Sequence, residues 1–227
     1  MTLVEIWFIG LMTAVLVGCG AGSTPRMIDL VGKDAFPSRG PLPEDHEWKS
    51  ASTIGLMVHS DATAPNAAPA IMSGYLETLT RRTEEFLRQR CAFQEIVTVS
   101  PVSRSVNLSQ ALKVQGSQVP YEIVVVFSSR EKTSPEKIGE ATMMTQMGGT
   151  VIENSAMAEV AILRSSDFTV VFLASGIGTE TLEQLDAPIG SNQPSPNDAR
   201  EILRARSGQY ALDRALEHVG LACRSGL

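Results

Sequence analysis

The sequence predicts an α/β fold, a single mixed-sheet domain in the order β-α-β-α-β, then antiparallel strands and a C-terminal helix packed on the sheet. Three observations carry this. Over the first half of the domain, short apolar runs alternate with helical stripes, and a strand-helix-strand crossover lays strands parallel. The segment Tyr121-Glu-Ile-Val-Val-Val-Phe127 is β-branched, aromatic and nearly continuous, as a central strand covered on both faces should be. Beyond it, strand-like segments follow one another with no helix between them, and the chain closes on a long amphipathic stripe.

The first element is a signal. The apolar run from Ile6 to Val17 is too short for a transmembrane helix, which needs about 20 residues to cross roughly 30 Å of hydrocarbon. It ends in Leu16-Val17-Gly18-Cys19: a large aliphatic residue, small residues, then cysteine. This is the lipobox pattern, so residues 1–18 read as a lipoprotein signal peptide cut between Gly18 and Cys19, with Cys19 acylated. The n-region departs from the usual basic character, since it carries Glu5 and neither Lys nor Arg. Gly20 follows Cys19, so the Asp that retains enteric lipoproteins in the inner membrane is absent, and the outer membrane facing the periplasm is the expected location.

Residues 19–50 read as a flexible tether anchored by its lipid. Gly20-Ala-Gly-Ser-Thr-Pro25 and Phe36-Pro-Ser-Arg-Gly-Pro-Leu-Pro43 are rich in Gly, Pro and Ser, and the apolar positions keep no period. A short piece, Met27 to Val31, has the apolar content to dock on the domain.

The globular domain spans 51–227. Ile54 to Val58 fits a buried strand, and the loop Ala62 to Pro69 leads to a helix whose stripe runs through Met72, Tyr75, Leu76, Leu79, Thr83, Phe86 and Leu87. Its charged residues, with pairs such as Glu84 and Arg88, form a solvated face. A second strand, Glu95 to Val99, stops before Pro101, and Asn107 caps a short helix through Val114. After the strand at Tyr121, Lys132 to Gly139 reads as a polar loop. Strands are then expected at 142–146, 150–153, 158–163 and 168–175, with a hairpin turn at Arg164 to Asp167. The last helix starts near Asn197, with Ile202, Ala205, Leu212, Leu216 and Val219 on one stripe, weakened by Gly208 by about 1 kcal/mol relative to Ala.

Composition restricts function. The formal charge is −6, and loss of residues 1–18 removes one acid, Glu5, leaving −5 on the mature chain. No basic run exists to neutralise phosphates, which disfavours nucleic acid. Lipidation of Cys19 leaves Cys91 and Cys223, 132 positions apart. In an oxidising compartment they form either a disulfide, worth roughly 4 to 5 kcal/mol through loop closure, or two buried thiols. No metal-ligand spacing accompanies them, Met143, Met144 and Met147 lack a neighbouring His, and no cofactor is expected.

The order of elements resembles the small α/β domain of the curli-secretion lipoprotein, the penicillin-binding-protein activator lipoproteins and the N-terminal domain of the Tol-system translocation protein. More closely, Gly149-Thr-Val-Ile-Glu-Asn-Ser-Ala-Met-Ala-Glu-Val-Ala-Ile-Leu163, followed by Phe168-Thr-Val-Val-Phe-Leu-Ala-Ser-Gly-Ile-Gly178, is similar to the rhombotarget lipoproteins. With the lipobox, Ile54 to Ser60 and the closing helix, this resemblance covers most of the mature chain. It implies a lipoprotein of uncertain role and brings no catalytic residues. The family's C-terminal sorting feature is not carried over, because Gly220-Leu-Ala-Cys-Arg-Ser-Gly-Leu227 has no hydrophobic span and one arginine.

For catalysis, His59-Ser60-Asp61 at the end of the first strand is the best candidate, since open α/β sheets place sites at the carboxyl ends of parallel strands. Adjacent residues on an extended chain point apart, and no Gly-x-Ser-x-Gly elbow supplies a nucleophile. Gly176-Ile-Gly178 reads as a turn after a strand and lacks the Lys-Ser/Thr of a phosphate loop. The expectation is therefore a non-enzymatic envelope lipoprotein that binds a protein partner. A periplasmic hydrolase using His59 and Asp61 is the alternative, and a secretion-apparatus subunit is a third, disfavoured because 142–175 reads as too short and apolar for membrane strands.

Overall fold

The computed structural model describes residues 26–37, 41–43, 45–91, 93–99, 119–138, 147–185 and 196–224. In chain order these form α1 (Met27–Val31), β1 (Thr53–Asp61), α2 (Ser73–Arg90), β2 (Glu95–Val99), β3 (Tyr121–Ile138), β4 (Met147–Arg164), β5 (Thr169–Leu185) and α3 (Pro196–Arg224). Cys19, the expected helix at 107–114 and the expected strand at 142–146 lie outside the described residues.

The strands make one five-stranded sheet in the order β2-β1-β3-β4-β5. β1 is parallel to both β2 and β3, whereas β3, β4 and β5 are antiparallel, joined in the last pair by the turn after Arg164. This is the mixed sheet that the alternation of helices and strands predicts. Side-chain period then divides the core. Ile54, Leu56 and Val58 of β1, with Ile123, Val125 and Phe127 of β3, face α2 and α3. Met57, Val124, Val126 and Ala161 face the opposite way, towards α1.

Three local expectations are corrected. The polar stretch at Lys132 is strand, because β3 runs on to Ile138 in register with β4. The backbone groups on one side of this stretch pair with β4, and Lys132, Thr133 and Pro135 are exposed, so its polar residues carry little cost there. Pro135 is tolerated because β3 pairs with β1 only as far as Ser128, which leaves the other side of the extension without a ladder to break. The strands expected at 150–153 and 158–163 are one strand of 18 residues, β4. The pair Gly176 and Gly178 lies inside β5, not in a turn.

The reason for those glycines is the close approach of α3. A Cβ on Gly176 would stand 2.2 Å from the Ala211 carbonyl oxygen and 2.6 Å from the Ala215 nitrogen; on Gly178 it would stand 2.2 Å from the Ser207 oxygen and 2.6 Å from the Ala211 nitrogen. Their cross-strand partners are Ala158 and Ala156. Small residues on two strands and on the facing turns of the helix let the backbones nearly touch. On α3 the buried stripe includes Leu203 and Ala211 as well as Ala205, Leu212, Leu216 and Val219, while Ile202 is only half-buried. Met72 precedes α2 as its N-cap and is exposed, as is Tyr75 on the helix, and the buried positions are Leu76, Leu79, Thr83 and Leu87.

Residues 26–37, 41–43 and 45–50, assigned from composition to the tether, are packed against the sheet as a strap. Met27 and Trp48 are each 1% exposed, Met27 on the α1 face of the sheet and Trp48 in the cluster beneath α2 and α3, its ring 5.6 Å from that of Phe172 and tilted by 44° to it. Leu30, Phe36 and Leu42 pack on the cluster around Met57 and Val126. Apolar residues in such a strap need no period, since they meet the sheet wherever the chain crosses it.

Candidate functional site

The first candidate is where β1 ends. His59 and Asp61, two residues apart, point to the same sheet face as Met57. His59 is half-buried, and burial lowers its pKa against the opposing pull of Asp61. Asp61 has its carboxylate taken up structurally. Its Oδ2 accepts from Arg26 Nε at 2.7 Å, and its Oδ1 accepts from the Thr63 backbone N–H at 3.0 Å and the Thr63 hydroxyl at 2.6 Å. Burial pushes this carboxyl up, but the Thr63 hydroxyl and the Arg26 guanidinium outweigh it and leave the pKa below the ordinary value. Ser60 faces the other way and accepts from the Ile71 backbone N–H at 2.9 Å. The three adjacent residues therefore stand on two sides of the sheet, and Asp61 does not serve as an orienting group for His59.

Asp61 belongs instead to a clamp on the strap. Glu159, buried in β4, accepts the backbone N–H groups of Arg26 at 2.5 Å and Met27 at 2.9 Å through one carboxylate oxygen. Arg26 also donates to Asp29 at 2.5 Å and to Thr63 at 3.1 Å. Burial raises the Glu159 pKa, and the two N–H groups and Arg26 oppose it. At the far end of the strap, Asp45 accepts from Arg164 Nη2 at 2.6 Å and from the Tyr121 hydroxyl at 3.1 Å. Neither clamp is visible in spacing, because the partners are 133 and 119 positions apart. The one signal available was an acid inside an apolar run, as at Ala158-Glu159-Val160.

Glu122 is a second acid of this kind. It is 4% exposed, its Oε1 has no partner, and burial pushes its pKa to about 7. It stands opposite Gly55 on β1 and Leu163 on β4. A Cβ at Gly55 would come within 3.1 Å of Glu122 Cγ, so the glycine makes the space that the carboxyl side chain fills.

Cys91 and Cys223 are joined by a disulfide, Cα to Cα 5.3 Å, which ties the C-terminal end of α2 to that of α3. Among the described residues there is no group of three metal-ligating side chains, and no helix is long and apolar enough to cross a membrane.

No family model matches the sequence, and no curated protein matches it. Solved structures with a similar course include a neuraminyllactose-binding hemagglutinin homologue from Helicobacter pylori, 7% identical over 84% of this chain and 95% of that one, with a TM-score of 0.44. The rare lipoprotein B of Shewanella oneidensis is 12% identical over 75% of this chain and 97% of its own, with a TM-score of 0.31. A minor lipoprotein of Acinetobacter baumannii is 8% identical over 76% and 91%, with a TM-score of 0.33. Bacterial lipoproteins thus figure among the similar structures, but at these TM-scores the likeness carries no argument about function.

Proposed function

We propose that this chain is a non-enzymatic lipoprotein of the bacterial cell envelope, acylated on Cys19, whose domain works as a protein-interaction or assembly module. The lipobox Leu16-Val17-Gly18-Cys19 carries the reading, because it supplies a membrane anchor seven positions before the strap meets the sheet at Arg26. The outer membrane, with the domain in the periplasm, is the proposed location. The use of Asp61 by Arg26 and Thr63 favours a binding role over the hydrolase, since a relay needs that carboxylate on the histidine.

The anchor is tested by growing wild type and Cys19→Ser with a clickable fatty-acid analogue. Label should enter the wild type alone, and equal labelling of both would remove the anchor. The hydrolase is tested with His59→Gln, which leaves the Asp61 clamp intact. Full complementation of a deletion strain is expected, and loss of complementation by a folded, membrane-bound variant would favour catalysis.

A further inference from the structure

We propose that the β5 end of the strap-bearing sheet face rests on the surface of a zwitterionic phospholipid bilayer, so that the domain lies against the membrane that anchors it. This rests on acylation of Cys19. The argument begins with side-chain direction. Glu159 pairs with Ser175 across β4 and β5, so Ser175, and with it Leu173 and Ile177, points to the face that holds the strap. α1 packs over Met57, Val124, Val126 and Ala161 of that face. Val170 of β5 is buried in the same cluster, but from Leu173 to Ile177 this face of β5 is open: Leu173 is 39% and Ile177 44% exposed, and Ile28 on α1 is 40% exposed. From Thr169 to Thr179, β5 carries no charged residue.

Chain length places this patch beside the anchor. Arg26 is held by Glu159 through its backbone and by Asp61 through its guanidinium. Leu173 and Ile177 are both diagonal cross-strand neighbours of Glu159, about 7 to 8 Å away. Seven residues fully extended span at most roughly 25 Å, so the acylated residue cannot lie farther than that from the clamp. An anchor on so short a leash presents the exit side of the domain to the leaflet. An apolar, uncharged strip on that side fits the headgroup-acyl boundary, where exposed aliphatic side chains are accommodated and the anchor supplies the local concentration. The net negative charge of the mature chain excludes an anionic surface as the favoured one.

The test places a fluorescent reporter on each side of the sheet. Ile177→Trp and, as control, Tyr210→Trp on the opposite, α3-covered side are expressed as full chains in a bacterial host. Acylation of the N-terminal peptide is read by mass spectrometry, which tests the anchor separately. If acyl groups are lacking, Cys19, the thiol left by the Cys91–Cys223 bond, is coupled to a maleimide lipid. The protein is then reconstituted in phosphatidylcholine/phosphatidylethanolamine vesicles with brominated acyl chains. Emission of the Ile177→Trp variant should fall by about half as the indole reaches the interfacial zone, that of Tyr210→Trp should not, and added phosphatidylglycerol should weaken the effect. Equal quenching of the two, or none in protein that floats with the vesicles, overturns the proposal. So does a concentration-dependent dimer that shields Ile177→Trp from an aqueous quencher, which would assign the face to a second copy.

Discussion

Gly178→Ala, like Gly176→Ala, should destabilise the domain strongly for a change of a single methyl group. The new Cβ would sit 2.2 Å from the Ser207 carbonyl oxygen, 2.6 Å from the Ala211 nitrogen and 2.8 Å from the Tyr210 Cβ, two of them backbone atoms that no rotamer change can move. Relief requires α3 to rise by about 1 Å over the turns facing β5, and a gap of that size forfeits roughly a quarter to a half of the dispersion attraction it opens. Added to the overpacking cost of 1 to 3 kcal/mol, the expected loss is about 3 kcal/mol, a large part of the total of roughly 5 to 15. Urea unfolding followed by far-UV circular dichroism measures it, with an unchanged m-value expected. Gly74→Ala is the control: nothing stands within 4 Å of its Cβ, and the loss of unfolded-state freedom should stabilise by about 0.5 kcal/mol. If Gly178→Ala unfolds at the wild-type midpoint, the close contact between α3 and β5 is not there.

Glu122 should make the domain lose stability as pH rises. Its folded pKa of about 7 lies above the ordinary 4.5, so the native state holds the proton more tightly. That stabilisation is complete below pH 4.5 and is lost as pH rises to 7, amounting to about 3 kcal/mol by linkage; Glu122→Gln should flatten the denaturation midpoint over that window. Arg26→Ala leaves Asp61 buried without its cation and should cost about 3 kcal/mol, while limited proteolysis should cut the strap faster. Reduction of the Cys91–Cys223 bond, or the double Ser variant, should lower stability by roughly 4 kcal/mol without changing the fold, read as a shift in thermal midpoint.

Much of this was legible because local pattern and global position agree. Ile54 to Val58 is an apolar run and Tyr121 to Phe127 is one interrupted only by Glu122, and they occupy the interior of the sheet, where both faces are covered. The turn after Arg164 and the mixed parallel and antiparallel order follow from which runs a helix separates. The misplaced elements share one cause: their stability comes from a neighbour distant in sequence. Lys132 to Ile138 is strand because β4 pairs with it, and Gly176 and Gly178 are strand because α3 lies on them.

The sequence by itself determined the class of fold and the apolar centre of β1 and β3, since burial period is written in consecutive residues, and it carries the Leu16-Val17-Gly18-Cys19 pattern on which the proposed anchor rests. Only the tertiary structure decided that Asp61 and Glu159 grip Arg26, that Met27 and Trp48, assigned from composition to a tether, are buried against the sheet, and that Glu122 is buried with an unpartnered oxygen. A carboxylate's role depends on what stands within about 3 Å of it, and those neighbours come from residues more than a hundred positions away as readily as from the next turn of chain.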